Sequence, residues 1–131
     1  MNASIQIAIA AFLLFISVAT GAFGSHALSN HVELPLLAVW ETAVQYLALH
    51  SVAMLGLAAA QPFLHARLQA LGFNLLFVGS LLFSGSLYLL VLSAQRWLAF
   101  ITPVGGVLLL GGWLVIVAAA LKHYAQTKQS A

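Results

Sequence analysis

Polar residues in this chain fall into short clusters that separate four long apolar stretches. The stretches cover residues 5–23, 35–60, 66–92 and 102–122. Each is near the roughly 20 residues a helix needs to cross the hydrocarbon of a bilayer. Open strands cannot span lipid, because their edge N–H and C=O groups would be unpaired. The pattern therefore predicts an all-α fold: a polytopic membrane protein, built as a compact antiparallel bundle of four transmembrane helices. No linker or low-complexity segment interrupts it, so residues 1–131 read as a single membrane domain.

Local signals place the breaks. Residues 24–34 form a polar loop, GSHALSNHVEL. Pro35 then suits a first helical turn, where its missing N–H costs nothing. Gln61-Pro62 stops the second helix, and residues 63–67 make a tight turn. Residues 93–101 cross an interface, with Arg96 and Trp97 as anchors. Thr102 reads as the N-cap of the fourth helix and Pro103 as its first residue. A polar tail, 123–131, lies beyond it. The first stretch lacks the basic flank of a secretory signal, so it is expected to remain as a helix.

Composition agrees with lipid as the solvent. Of 131 residues, 63% are hydrophobic and 5% charged, against about 25% charged in a soluble domain. The chain has no cysteine, which removes disulfides and thiolate metal sites. Four Lys/Arg are too few for a nucleic-acid footprint. With four spans, Arg67, Lys122 and Lys128 share one side and Arg96 lies on the other. The positive-inside rule then puts both termini in the cytoplasm.

Depth along each helix locates the candidate chemistry. At ~1.5 Å per residue, Glu41, Thr42, Gln45 and Tyr46 lie about 9 to 17 Å below the outer entrance of the second helix. Ser84, Ser86 and Tyr88 approach that layer from the third helix, and His26 and Thr102 border it. The drier inner half holds His50, Gln69 and Asn74. Thr42, Tyr46 and His50 recur every four residues and share a face, as do Ser80, Ser84 and Tyr88. Two such seams on adjacent helices are expected to face each other, since lipid would leave them unpaired. Ser17/Gly21, Ser80/Ser84 and the glycines 105, 106, 111 and 112 mark close helix contacts.

Each candidate has two readings. Glu41 is either an interfacial carboxylate or an acid at the mouth of a polar cavity. His50 is either a proton relay or a neutral imidazole bonded to the first or third helix. His26, His31 and Glu33 invite a metal, yet their spacing matches no helix-borne ligand pair. There is no Asp for a Ser-His-Asp triad and no phosphate-cradling loop. No metal, cofactor or catalytic residue is assigned.

Four motifs in order resemble a known family. They are GAFGSHAL at 21–28, WETA at 40–43 with Tyr46 and His50, LFSGSLY at 82–88, and ITPVGG at 101–106 with Gly112-Trp113. Together they resemble a widespread bacterial family of small four-helix inner-membrane proteins whose domain is labelled as of unknown function. A small eukaryotic transmembrane family is similar. The resemblance covers essentially the whole chain and implies a bundle in the bacterial plasma membrane; it carries over no activity. Its signature falls here on Gly21, Phe23, Gly24, His26, Trp40, Thr42, Tyr46, His50, Ser84, Gly85, Ser86, Tyr88, Thr102, Pro103, Gly105 and Gly106.

Three function classes follow. One is a non-catalytic accessory subunit or scaffold, docked in a larger membrane complex or a homo-oligomer. Another is a binding or transport module, holding a lipid, small amphiphile or ion in a cavity lined by His26, Glu41, Gln45, Tyr46, Ser84 and Tyr88. The third is a membrane-embedded enzyme. Seams closed by direct hydrogen bonds favour the first. An outward cavity above about 300 Å³ favours the second.

Overall fold

Asn2 opens the first helix: its side-chain oxygen accepts from the Ile5 N–H at 2.9 Å, capping one of the free donors of the first turn. The computed structural model describes residues 1–131 as four long helices and no strand. They are α1 (Ala3–His26), α2 (Leu34–Ala59), α3 (Ala66–Ser93) and α4 (Ile101–Ser130). All four are long and apolar enough to cross a membrane. The chain is an all-α polytopic membrane protein.

The helix ends differ from the sequence reading where polarity and helicity part company. The 24–34 loop is shorter than expected, because α1 continues to His26 and Leu28–Asn30 form a 3-10 turn. The tail 123–131 is not separate, since α4 continues to Ser130. No Gly or Pro follows Gly112 in the sequence, and Ala, Lys and Gln are good helix formers. At ~1.5 Å per residue α4 is ~45 Å long, so its last turns stand clear of a ~30 Å hydrocarbon layer. Thr102 is not the cap of α4. A 3-10 turn, Arg96–Phe100, runs directly into the helix, and Phe100 takes the cap position without a side-chain bond. Thr102 and Pro103 lie inside the first turn. Ala94, which ends α3, adopts a left-handed backbone at φ 58°.

Each helix packs on its neighbour in sequence, and α3 is the hub. The largest core cluster joins Ala10 and Leu13 of α1, Leu47, Met54 and Leu57 of α2, Phe73 and Leu76 of α3, and Leu109 of α4. Lipid tails are as apolar as leucine, so burial alone does not hold these helices together; close packing and interhelical hydrogen bonds do. The closest approach is α3 against α4. A Cβ on Gly105 would lie 2.5 Å from the Phe83 backbone nitrogen and 2.9 Å from the Gly79 carbonyl oxygen. Two turns along, a Cβ on Gly112 would lie 2.8 Å from the Leu76 side chain and 3.2 Å from its backbone nitrogen. By contrast, a Cβ on Gly111 meets nothing within 4 Å.

Two substitutions on α4 should therefore diverge. Gly105→Ala forces the α3 backbone away and is expected to destabilise the protein by about 1–3 kcal/mol. Gly111→Ala should be neutral or stabilising by up to about 1 kcal/mol, from helix propensity alone. Reversible unfolding in mixed micelles measures both. Equal effects would show that the α3–α4 contact is not close.

Candidate functional site

Polar side chains at membrane depth are tied together at three levels. The lowest level is amide chemistry. Gln6 of α1 and Gln69 of α3 are 0% and 2% exposed. The Gln6 Nε2 donates to Gln69 Oε1 at 3.1 Å, and the Gln69 Nε2 donates back to Gln6 Oε1 at 2.8 Å. Gln61 donates to the same Gln6 oxygen at 2.8 Å, and Gln69 reaches the Leu57 carbonyl at 3.0 Å. Sequence reasoning named Gln69 but overlooked Gln6. The signal was there: one carboxamide inside the apolar run 5–23, which has to face protein rather than lipid.

At mid-depth, His50 joins α2 to α4. Its Nδ1 lies 2.8 Å from the Tyr46 carbonyl oxygen, and its Nε2 lies 3.2 Å from the Trp113 indole nitrogen. An indole N–H can only donate and a carbonyl can only accept. The ring is thus a neutral imidazole with its proton on Nδ1, and both nitrogens are in use. The expected partner on the first or third helix is replaced by Trp113 of α4. Trp113 lies ~18 Å from the start of α4, far from the interfaces where Trp usually collects.

The level nearest the end opposite the termini is a node of α1, α2 and α3. The Trp40 indole N–H donates to the Thr20 carbonyl oxygen at 2.8 Å. The Thr20 hydroxyl donates to the Ile16 carbonyl at 2.8 Å, so Tyr88 OH, 2.8 Å away, donates to it. The Trp40 and Tyr88 rings pack with centroids 4.6 Å apart. Gly24 makes room, since a Cβ there would lie 2.7 Å from the indole. Nearby, Ser84 donates to the Ala43 carbonyl at 2.8 Å, and Ser86 meets Thr102 at 2.6 Å. Thr20 was not singled out from the sequence.

The candidate residues therefore do not line one cavity. Ser84, Ser86 and Tyr88 are used in helix contacts. Thr42 bonds back to Ala38 of its own helix at 3.0 Å. Ser80 is buried with its hydroxyl unpartnered, so the α3 seam makes a single side-chain hydrogen bond to α2, from Ser84 to the Ala43 backbone carbonyl. His26, Glu41 and Gln45 are exposed. Glu41 and Gln45, with Gly21, Gly24 and Ser25, border a cleft of about 170 Å³ between α1 and α2. His26, His31 and Glu33 join no group of three metal-binding side chains. The largest apolar concavity is elsewhere. Tyr46, His50, Phe83, Pro103, Gly106 and Trp113 border an apolar groove of about 390 Å³ over α3, between α2 and α4. Tyr46 stacks on Phe83 there at 4.4 Å.

The His50–Trp113 contact can be measured directly. In a double-mutant cycle with His50→Leu and Trp113→Phe, the pair should couple by about 0.5–2 kcal/mol, the range for hydrogen bonds between membrane helices. Additive losses would mean the two rings merely pack.

Comparison with known proteins places the chain. A family described as "Protein of unknown function (DUF423)" matches residues 20–106, from the last turns of α1 to the first of α4. The UPF0382 membrane protein of Staphylococcus saprophyticus is 41% identical over 106 residues, covering 81% of this chain and 88% of its own. The UPF0382 inner membrane protein YgdD of Escherichia coli is 40% identical over 126 residues, 93% of both chains. No solved structure matches. On the family match and these relatives, the chain belongs to the DUF423 family.

Proposed function

We propose that this protein is a non-catalytic accessory subunit of the bacterial plasma membrane, a helical scaffold piece that assembles with another membrane protein. The observation that carries this reading is the use of its reactive groups. A general base needs a free lone pair within reach of a substrate, and both His50 nitrogens are committed, to Tyr46 and Trp113. The Tyr88 hydroxyl is committed to Thr20 and that of Ser84 to Ala43. The polar cleft at Glu41, about 170 Å³, is smaller than the roughly 300 Å³ at which ligand pockets begin. What the chain offers to its surroundings is mostly apolar helix surface. Both termini lie in the cytoplasm, on the side of Arg67, Lys122 and Lys128.

A second reading has one observation in its favour. The α2–α4 groove, about 390 Å³, is large enough for part of a lipid acyl chain. It opens toward the bilayer, and the half-exposed Tyr46 at its edge forms no side-chain hydrogen bond within the chain.

Native mass spectrometry of the protein gently extracted from its own membrane separates the two. The accessory role predicts a second, different protein at fixed stoichiometry. A discrete lipid mass in its place, lost in Tyr46→Phe or Trp113→Ala, would transfer support to the groove. The chain alone, or only multiples of itself, would sink the accessory role.

A further inference from the structure

One face of α3 is left uncovered by the other helices. Leu71, Val78, Leu81 and Leu92 are 48%, 44%, 45% and 59% exposed, and Asn74 is exposed between them. With Gly85, these positions advance by alternating three and four residues and then by a full heptad. That is the spacing of a coiled-coil seam, in which a single Asn sets register and partner number. The α3 residues that hold the bundle lie on its other sides: Gly72 and Gly79 against α4, and Gln69 and Ser84 toward α1 and α2.

Asn74 lies ~12 Å along α3 from its cytoplasmic start. α3 has 28 residues and is ~42 Å long, so it overhangs a ~30 Å hydrocarbon layer by only about 6 Å at each end. The Asn74 carboxamide is therefore within hydrocarbon. Unlike Gln6 and Gln69, it makes no hydrogen bond within the chain. Unpaired donors and acceptors are costly in that medium, and an acyl chain offers neither.

A second copy of this chain offers both. Copies inserted with the same topology hold Asn74 at the same depth, so a two-fold axis along the membrane normal brings the two carboxamides together. A carboxamide has an NH2 donor and a carbonyl acceptor, and across a two-fold each group bonds the other reciprocally. Gly85 supplies independent support. A Cβ there meets nothing within 4 Å, so its small size serves no contact inside the chain. It opens a dent of about 170 Å³ walled by Leu81, Leu89 and Leu98, in which an apolar side chain of the neighbouring copy would seat.

We propose that the protein forms a parallel dimer through this face of α3, with Asn74 paired to Asn74 across the two-fold and Gly85 receiving an apolar side chain of the partner copy. The dimer does not depend on the accessory role proposed above. The chain has no cysteine, so single substitutions report contacts cleanly. In native membranes under mild oxidation, Val78→Cys should form disulfide-linked dimers and Val52→Cys, on the exposed face of α2, should not. In lipid vesicles over a range of protein-to-lipid ratios, fluorescence transfer between labelled copies should show dimerisation. Asn74→Leu should weaken it roughly tenfold, as expected for loss of two interhelical hydrogen bonds. Gly85→Leu, which fills the dent, should weaken it too. Circular dichroism and thermal unfolding check that both variants still fold, as expected for residues facing away from the bundle. A monomer at every ratio, cross-linking that favours Val52→Cys, or full dimerisation of folded Asn74→Leu would each overturn the proposal.

Discussion

Inside a bilayer a polar side chain has no water to return to, and this one constraint organises the whole chain. In a soluble protein an unpaired hydroxyl can turn outward; here it must find a protein partner or remain unsatisfied. The hydrogen bonds accordingly form a ladder across the membrane. Gln6, Gln61 and Gln69 join α1, the α2–α3 turn and α3 at the end of the bundle that carries both termini. His50 and Trp113 join α2 and α4 at mid-depth. Thr20, Trp40 and Tyr88 join three helices near the end opposite the termini. Between the rungs, glycines allow the contact that dispersion requires, with Gly105 against the Phe83 backbone the tightest case. Hydrogen bonds position the helices, and small residues set how close they come.

The same constraint explains what could be read from the sequence. Four apolar runs too long for strands require four helices, and rise per residue converts position into depth. Ser86 and Thr102, assigned to one layer by depth, do meet, and Tyr88 of that layer meets Thr20, which depth alone does not single out. Direction around the helix axis is a different quantity. Four-residue rows show which residues share a face, as with Ser80, Ser84 and Tyr88, but not which helix that face meets. Tyr88 turns to α1, while Tyr46 turns to Phe83 and the groove. The expected single cavity thus disperses into separate contacts. The end of α4 departs from the hydropathy pattern for a related reason: hydropathy marks the edge of the membrane, whereas the helix continues until something breaks it.

His50 shows how packing decides chemistry. As a residue type it suits acid–base catalysis or metal binding. Its own-helix carbonyl and an indole N–H use both nitrogens and hold it neutral in one tautomer. A catalytic His also keeps one nitrogen oriented by a partner, but leaves the other free for substrate. The α2–α4 groove passes over this pair and is walled by aromatic and aliphatic side chains, with Tyr46 at its edge.

Carboxamides give the sharpest contrast between the inside of this bundle and its surface. Gln6 and Gln69 solve the problem of an amide buried in the bundle by bonding each other reciprocally, each as donor and acceptor. Asn74, five residues further along the same helix as Gln69, has the same functional group and no such partner. If the isolated chain were the whole assembly, a leucine there would be better tolerated, as at Leu71 and Leu81 on either side. An amide facing outward at that depth makes physical sense where another polar group arrives from outside. The simplest source at a matched depth is the same residue of a second chain. The reciprocal pair that closes the bundle at Gln6 and Gln69 is then repeated between copies at Asn74.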